Sequence, residues 1–150
     1  MTRNSSTVKP ARHAVAVVLY DDQGRFLAVR RSDDDESLPG VWGLPAASLR
    51  AGESDEDAVV RAGREKLGVE LRVLDRVGTE KAEREQFTLT LSDYRVVLEK
   101  GVPAVPQPFD DVSQYVDMTY TKDLGLLVEA ARRGSLCSRV LLNSEGYDWH

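Results

Sequence analysis

AGESDEDAVVRAGREKLGVEL, residues 51–71, decides the fold, because it contains a helix with both ends marked. Ser54 followed three residues later by Asp57 is an acidic form of the capping box, in which each side chain satisfies a backbone N–H of the other. Asp55 and Glu56 put negative charge in the first turn, where the helix dipole favours it. Gly68 supplies the left-handed residue that commonly ends a helix. The spacing predicts a helix over residues 55–67. At ~100° per residue, Val59, Gly63 and Leu67 share one side, with Val60 at its edge, and are expected to face the core. Ala58, Arg61, Ala62, Glu65 and Lys66 share the other side, a mixed-charge stripe and the functional candidate. Glycine costs about 1 kcal/mol against alanine inside a helix, so Gly63 points to close packing there.

Working outward, AVAVVLY (residues 14–20) reads as a strand buried on both faces. A turn at Asp21-Asp22-Gln23-Gly24 leads to a second strand, residues 25–31, and the two are expected to form a hairpin. Residues 32–40 form a loop whose acidic run, 33–36, reads most simply as solvated. Trp42-Gly43-Leu44 is a short apolar stretch before Pro45. Beyond the helix, residues 69–77, 86–100 and 114–121 read as strands. Residues 101–111, with three prolines, read as a loop, and residues 123–133 and 136–142 as helices. The order of strands, helix, strands and helices predicts one α+β domain over residues 13–150, with a mixed, mostly antiparallel sheet between helices. Residues 1–12 are expected to be a flexible tail.

Composition narrows the function classes. The chain has 150 residues, 41% hydrophobic and 30% charged, the balance of a globular domain. One cysteine, Cys137, leaves no internal disulfide, and two histidines make a Cys/His zinc site a poor fit. The polar N-terminus has no apolar core of a signal peptide, and no apolar run approaches membrane-spanning length, so the expected compartment is the cytoplasm. A net charge of −5 argues against duplex nucleic acid as partner. It leaves room for a small anionic ligand, which one basic cleft or a bound cation would suffice to hold.

Taken together, LPGVWGLPAASLRAGESDEDAVVRAGREKLGVEL (residues 38–71) resembles the Nudix superfamily, whose signature is G-x5-E-x7-R-E-U-x-E-E-x-G-U with U aliphatic. Glu53, Arg61, Glu65, Gly68 and Val69 fall in register. The Pro39-Gly40-Val41-Trp42 approach and the strand-to-helix step after Tyr115 also resemble the family, so the likeness covers residues 14–133. It implies hydrolysis of a nucleoside diphosphate linked to another moiety, with Mg²⁺ or Mn²⁺ held by helix glutamates against the pyrophosphate. Four positions depart from the pattern. Ala47 stands for the opening Gly, Ala62 for the Glu after Arg61, Gly63 for the aliphatic residue, and Lys66 for the second of the paired glutamates. One of three helix carboxylates is left.

The resemblance gives Glu65, Glu53 and Arg61 as catalytic candidates, with Glu65 and Glu53 as the ligands of a weakly bound Mg²⁺ or Mn²⁺. Glu53 with Arg61 reads equally as a structural pair tying loop to helix. Lys66 is either a solvated surface lysine or a direct phosphate contact, since an ammonium is a point charge that phosphate accepts. Arg31, or its neighbour Arg30, is a candidate for substrate phosphate, and Trp42 for substrate binding, although Trp42 and Tyr115 read more simply as core or cleft wall. Glu56 and Asp57 read as cap charges. Glu80, Glu83 and Glu85 read as a solvated loop that includes a candidate general base. Two functions follow: a cation-dependent pyrophosphohydrolase of a small nucleotide, or a Nudix-shaped module that binds a nucleotide or nucleotide-sugar without cutting it. A protein-interaction scaffold is a third, without a feature of its own. Exchanging Ala62 and Lys66 for glutamate is expected to strengthen Mg²⁺ binding. Base, sugar and oligomeric state are not written in these residues, and a homodimer stays open.

Overall fold

The computed structural model describes residues 8–105 and 115–150. Its elements are β1 (Ala11–Leu19), β2 (Phe26–Arg31), β3 (Trp42–Gly43), β4 (Ala46–Ser48), α1 (Asp55–Ala62), β5 (Glu70–Glu83), β6 (Thr88–Lys100), β7 (Tyr115–Thr121), α2 (Val128–Arg132) and α3 (Leu136–Ser144). They form a mixed α+β fold. A four-stranded sheet runs β4-β1-β6-β5, and a three-stranded one β3-β2-β7. The β1–β6 pair is parallel, from Ala11 opposite Thr88 to Leu19 opposite Val96, and the other pairs are antiparallel.

The unbroken apolar run of β1 is explained by burial on both faces. Val15, Val17 and Leu19 join Val59, Ala62 and Leu67 in one core layer, while Ala16 and Val18 join Leu136, Leu141 and Leu142 in another. β2 divides in the same way, Leu27 and Val29 to the first layer, Phe26 and Ala28 to the second. Full burial of a Val or Leu side chain stabilises by about 1.5–3 kcal/mol, so a one-residue slip of β1 would exchange the two sets and leave both layers misfilled. The strands thus lie between α1 on one side and α2 with α3 on the other.

The expected hairpin is corrected. β1 and β2 share only the Tyr20–Phe26 bridge and then separate into different sheets, because each buries both faces and needs partners from elsewhere in the chain. β5 is also longer than expected and takes in Glu80, which is half-buried, and Glu83, which is exposed, on a strand rather than in a loop. β1 begins at Ala11, two residues before the expected domain start. Residues 106–114 of the proline loop and strand lie outside the described residues, as do residues 1–7 of the tail. Among the described residues, no helix is long and apolar enough to cross a membrane.

The marked helix has the expected cap. The Asp57 N–H donates to Ser54 Oγ at 3.0 Å, and the Ser54 N–H to the Asp57 carboxylate at 3.5 Å. Its last turn is wider than an α-helix. Residues Gly63–Leu67 form a π turn, closed where the Gly68 and Val69 N–H groups both donate to the Gly63 carbonyl. Gly68 sits at φ +69, where a side chain would be strained. Gly63 faces Leu71 so closely that an added Cβ would stand 2.7 Å from two of its carbons. Val59, Gly63 and Leu67 are buried as expected. Ala58 and Ala62 are buried too, which corrects the helical-wheel assignment: the core takes a broader stripe of α1, and the two alanines fill it.

Candidate functional site

The box residues divide between two neighbouring cavities. Glu53, Arg61 and Glu65 line an open cavity of about 790 Å³, together with Arg50, Glu56 and Asp57. Arg61 grips Glu53 with two donors, Nε to Oε2 at 2.7 Å and Nη2 to Oε1 at 2.9 Å, and Nη2 also donates to the Ser48 carbonyl at 2.7 Å. The Arg50 N–H donates to Glu53 as well. These bonds, the Arg61 guanidinium first, hold the Glu53 carboxyl down to about 2. Glu65 receives Arg50 at 3.2 Å and Arg61 at 3.2 Å, and its side chain is 39% exposed. Glu53 with Arg61 is therefore a tie between loop and helix.

Lys66 turns away from this group. The π turn breaks the regular ~100° spacing, and the lysine enters a separate cleft, where Nζ donates to the Ala46 carbonyl at 2.5 Å. It stands 5.5 Å from the Tyr115 ring centroid. Burial, and then the positive charges of Arg31 and Arg61, lower its pKa to about 8. Arg61, Glu65 and Lys66 thus do not share a face, contrary to the helical wheel.

The cleft extends from a part of about 350 Å³ around Lys66 and Arg12 to a part of about 400 Å³ around Arg84 and Arg133. Arg31, Ser37, Ala46, Phe87, Leu89 and Leu91 line both parts. Five basic side chains, Arg12, Arg31, Lys66, Arg84 and Arg133, meet over this apolar floor, and among the described residues no Asp or Glu lines it. Arg31 reaches Asp35 at 3.3 Å and Arg133 reaches Glu129 at 2.7 Å, while the Arg12 guanidinium lies 4.4 Å over the Phe87 ring. Arg84 donates to the Gly134 carbonyl. In a chain of net charge −5, positive side chains are thus concentrated at this cleft.

Of the sequence candidates, Lys66 and Arg31 lie in the cleft, and Glu53, Arg61 and Glu65 in the cavity beside it. Trp42 lines neither; it is half-buried on β3 against the second core layer. Tyr115 is buried as a wall, its hydroxyl accepting from the Ala46 N–H at 3.0 Å, and burial pushes its pKa up to about 12. Arg12, Arg84, Phe87 and Arg133 were not singled out in the sequence. They come from the start of β1, the β5–β6 turn and the cap that follows α2, and no local spacing links them.

The NUDIX domain model matches residues 10–133. The chain belongs to the Nudix family. Among its relatives, isopentenyl-diphosphate Delta-isomerase of Mycolicibacterium vanbaalenii is 42% identical over 65 residues, 40% of this chain and 34% of that one. An RNA pyrophosphohydrolase of Gluconacetobacter diazotrophicus is 36% identical over 69 residues, 43% of this chain and 41% of its own. The Nudix chain thus spans well under half the length of these curated relatives. The crystal structure of a MutT protein from Methanosarcina mazei Go1 superposes with a TM-score of 0.70 at 18% identity, covering 92% of this chain and 95% of that one, a likeness of fold.

Nudix hydrolases generally use divalent cations such as Mg²⁺. The side chains here do not fit a resident one. Glu53 and Glu65 are both engaged by guanidinium groups. Ala62 is buried with no donor to offer. Among the described residues, no three His, Cys, Asp or Glu are grouped to hold a metal. A divalent ion about 4 Å from the Lys66 ammonium would be opposed by about 8 kcal/mol at an effective dielectric of ~20.

Proposed function

We propose that this Nudix domain binds a small nucleoside diphosphate derivative, with the pyrophosphate at the Lys66, Arg12 and Arg31 end of the cleft and the remainder over Phe87, Leu89 and Leu91. The observation that carries this reading is the set of five basic side chains around an apolar floor that no described carboxylate lines, with Arg31 and Arg133 paired outside the lining to Asp35 and Glu129. Charge-assisted contacts to phosphate are about twice as strong as neutral ones, and the floor suits the flat, partly apolar face of a base. A cytoplasmic location belongs to the same proposal.

A second reading, hydrolysis of that pyrophosphate with a divalent cation, is favoured by one feature: Glu65 is 39% exposed beside Glu53, on the wall next to the cleft. Nudix family members generally are pyrophosphohydrolases. One experiment tests both. A panel of nucleoside diphosphate sugars, dinucleoside polyphosphates and nucleoside triphosphates is titrated calorimetrically, and product release is followed in Mg²⁺ and in Mn²⁺. The first reading expects saturable binding of at least one compound without turnover. Turnover that needs the cation and is lost in Glu65→Gln establishes the second reading. No binding by any compound refutes both.

A further inference from the structure

We propose that the Lys66 ammonium takes the place of a metal ion in this cleft, so that a phosphate group is held directly between Lys66 and the neighbouring arginines without a divalent cation. This inference rests on the cleft being the ligand site. Its basis is geometric. Lys66 Nζ donates to the Ala46 carbonyl, which fixes the ammonium at the cleft wall. An ammonium has three N–H donors, so two remain to point at an oxyanion. Among the described residues, no carboxylate pairs with Lys66, and the groups acting on it from the surrounding elements are the cations Arg31 and Arg61, with Glu65 the single opposing charge. Arg12 and Arg31 line the same part of the cleft. Arg31 is paired with Asp35 and Arg61 with Glu53 and Glu65, so among the described residues Lys66 is the cation of this group that a phosphate would neutralise and a divalent cation would oppose. Box and substitution are consistent with each other: the position that would bring a negative ligand to a metal carries the positive charge itself.

The test is calorimetric titration of the full chain with inorganic pyrophosphate and with ADP, in EDTA and again in Mg²⁺. The expected result is binding in EDTA that Mg²⁺ does not strengthen, because complexed phosphate carries less charge to the site. Lys66→Gln keeps a donor for the Ala46 carbonyl and removes the charge; it is expected to weaken binding in EDTA about tenfold to a hundredfold. Arg12→Gln, at the start of β1, serves as the second variant and is expected to weaken binding in the same direction. Binding of either probe only in Mg²⁺ overturns the inference and leaves the cleft as the ligand site. Unchanged affinity of Lys66→Gln in EDTA also overturns it. Failure of both probes to bind under either condition removes the reading of the cleft itself.

Discussion

Replacing Gly63 by Ala should destabilise the domain, although by propensity alone it should help. A glycine-to-alanine change inside a helix is worth about 1 kcal/mol in favour of alanine. Here the new Cβ would stand 2.7 Å from both Cγ and Cδ1 of Leu71 and 3.3 Å from the Val69 carbonyl oxygen. Carbon atoms prefer a separation of about 3.5–4.0 Å, so Leu71, 3% exposed in the core layer beneath α1, would have to move by about 1 Å. Overpacking of this kind costs typically 1–3 kcal/mol. The net is a loss centred near 1 kcal/mol within a span of about 0–2 kcal/mol, or roughly 2–4 °C in Tm at the centre for a domain of this size. Thermal unfolding followed by circular dichroism, with urea unfolding for the free energy, measures it. The same change would push the π turn that aims Lys66 into the cleft, so pyrophosphate affinity should fall with it. A variant more stable than the parent would show that the approach of Gly63 to Leu71 is not what holds the turn.

Three further outcomes follow from the structure. Ala62→Glu, alone or with Lys66→Glu, should destabilise by several kcal/mol, because residue 62 is 1% exposed in the core and a carboxylate there would be buried without a partner; a normally stable variant with stronger Mg²⁺ binding, by thermal melt and calorimetry, would restore the helix face as a metal site. Glu53 is held down to about 2 by Arg61, so its contribution to stability is full above the ordinary carboxylate range and lost as pH falls from about 4.5 through about 2; urea midpoints of Glu53→Gln should therefore fall less than the parent's over that interval, and parallel curves would contradict the pairing. Asp93 is fully buried, neither oxygen is hydrogen-bonded among the described residues, and burial raises its pKa well above 3.8. Because its charged form is disfavoured in the fold, the parent should lose stability relative to Asp93→Asn as pH rises above about 4, and a constant difference across that range would show that the carboxyl has an unrecognised partner.

Much of the fold was legible because local signals agreed with one another. The capping box at Ser54, the stop at Gly68 and the double-sided run of β1 each specify their own element. Pairing was less legible: β1 joins β6 in parallel across more than seventy residues of chain, and the apparent hairpin signal around Asp21-Gly24 describes the turn without saying that the strands then part. The π turn is also hidden, since a wheel at fixed spacing cannot show where a helix widens and so sets Lys66 beside Glu65. At the site, Lys66 and Arg31 were visible through the box and the strand before it. Arg12, Arg84 and Arg133 were not, because a cleft assembled from a strand start, a turn and a helix cap has no contiguous pattern.

The backbone amide resonances of the full chain, followed on addition of ADP in EDTA, locate the ligand directly. Binding in the cleft predicts shifts concentrated at Arg31, Ala46, Lys66, Leu89 and Leu91, with Gly52, Glu56 and Arg64, which line the box cavity and not the cleft, unmoved. Shifts concentrated at Gly52, Glu56 and Arg64, with the cleft residues silent, would place the ligand on the carboxylate wall and contradict the account.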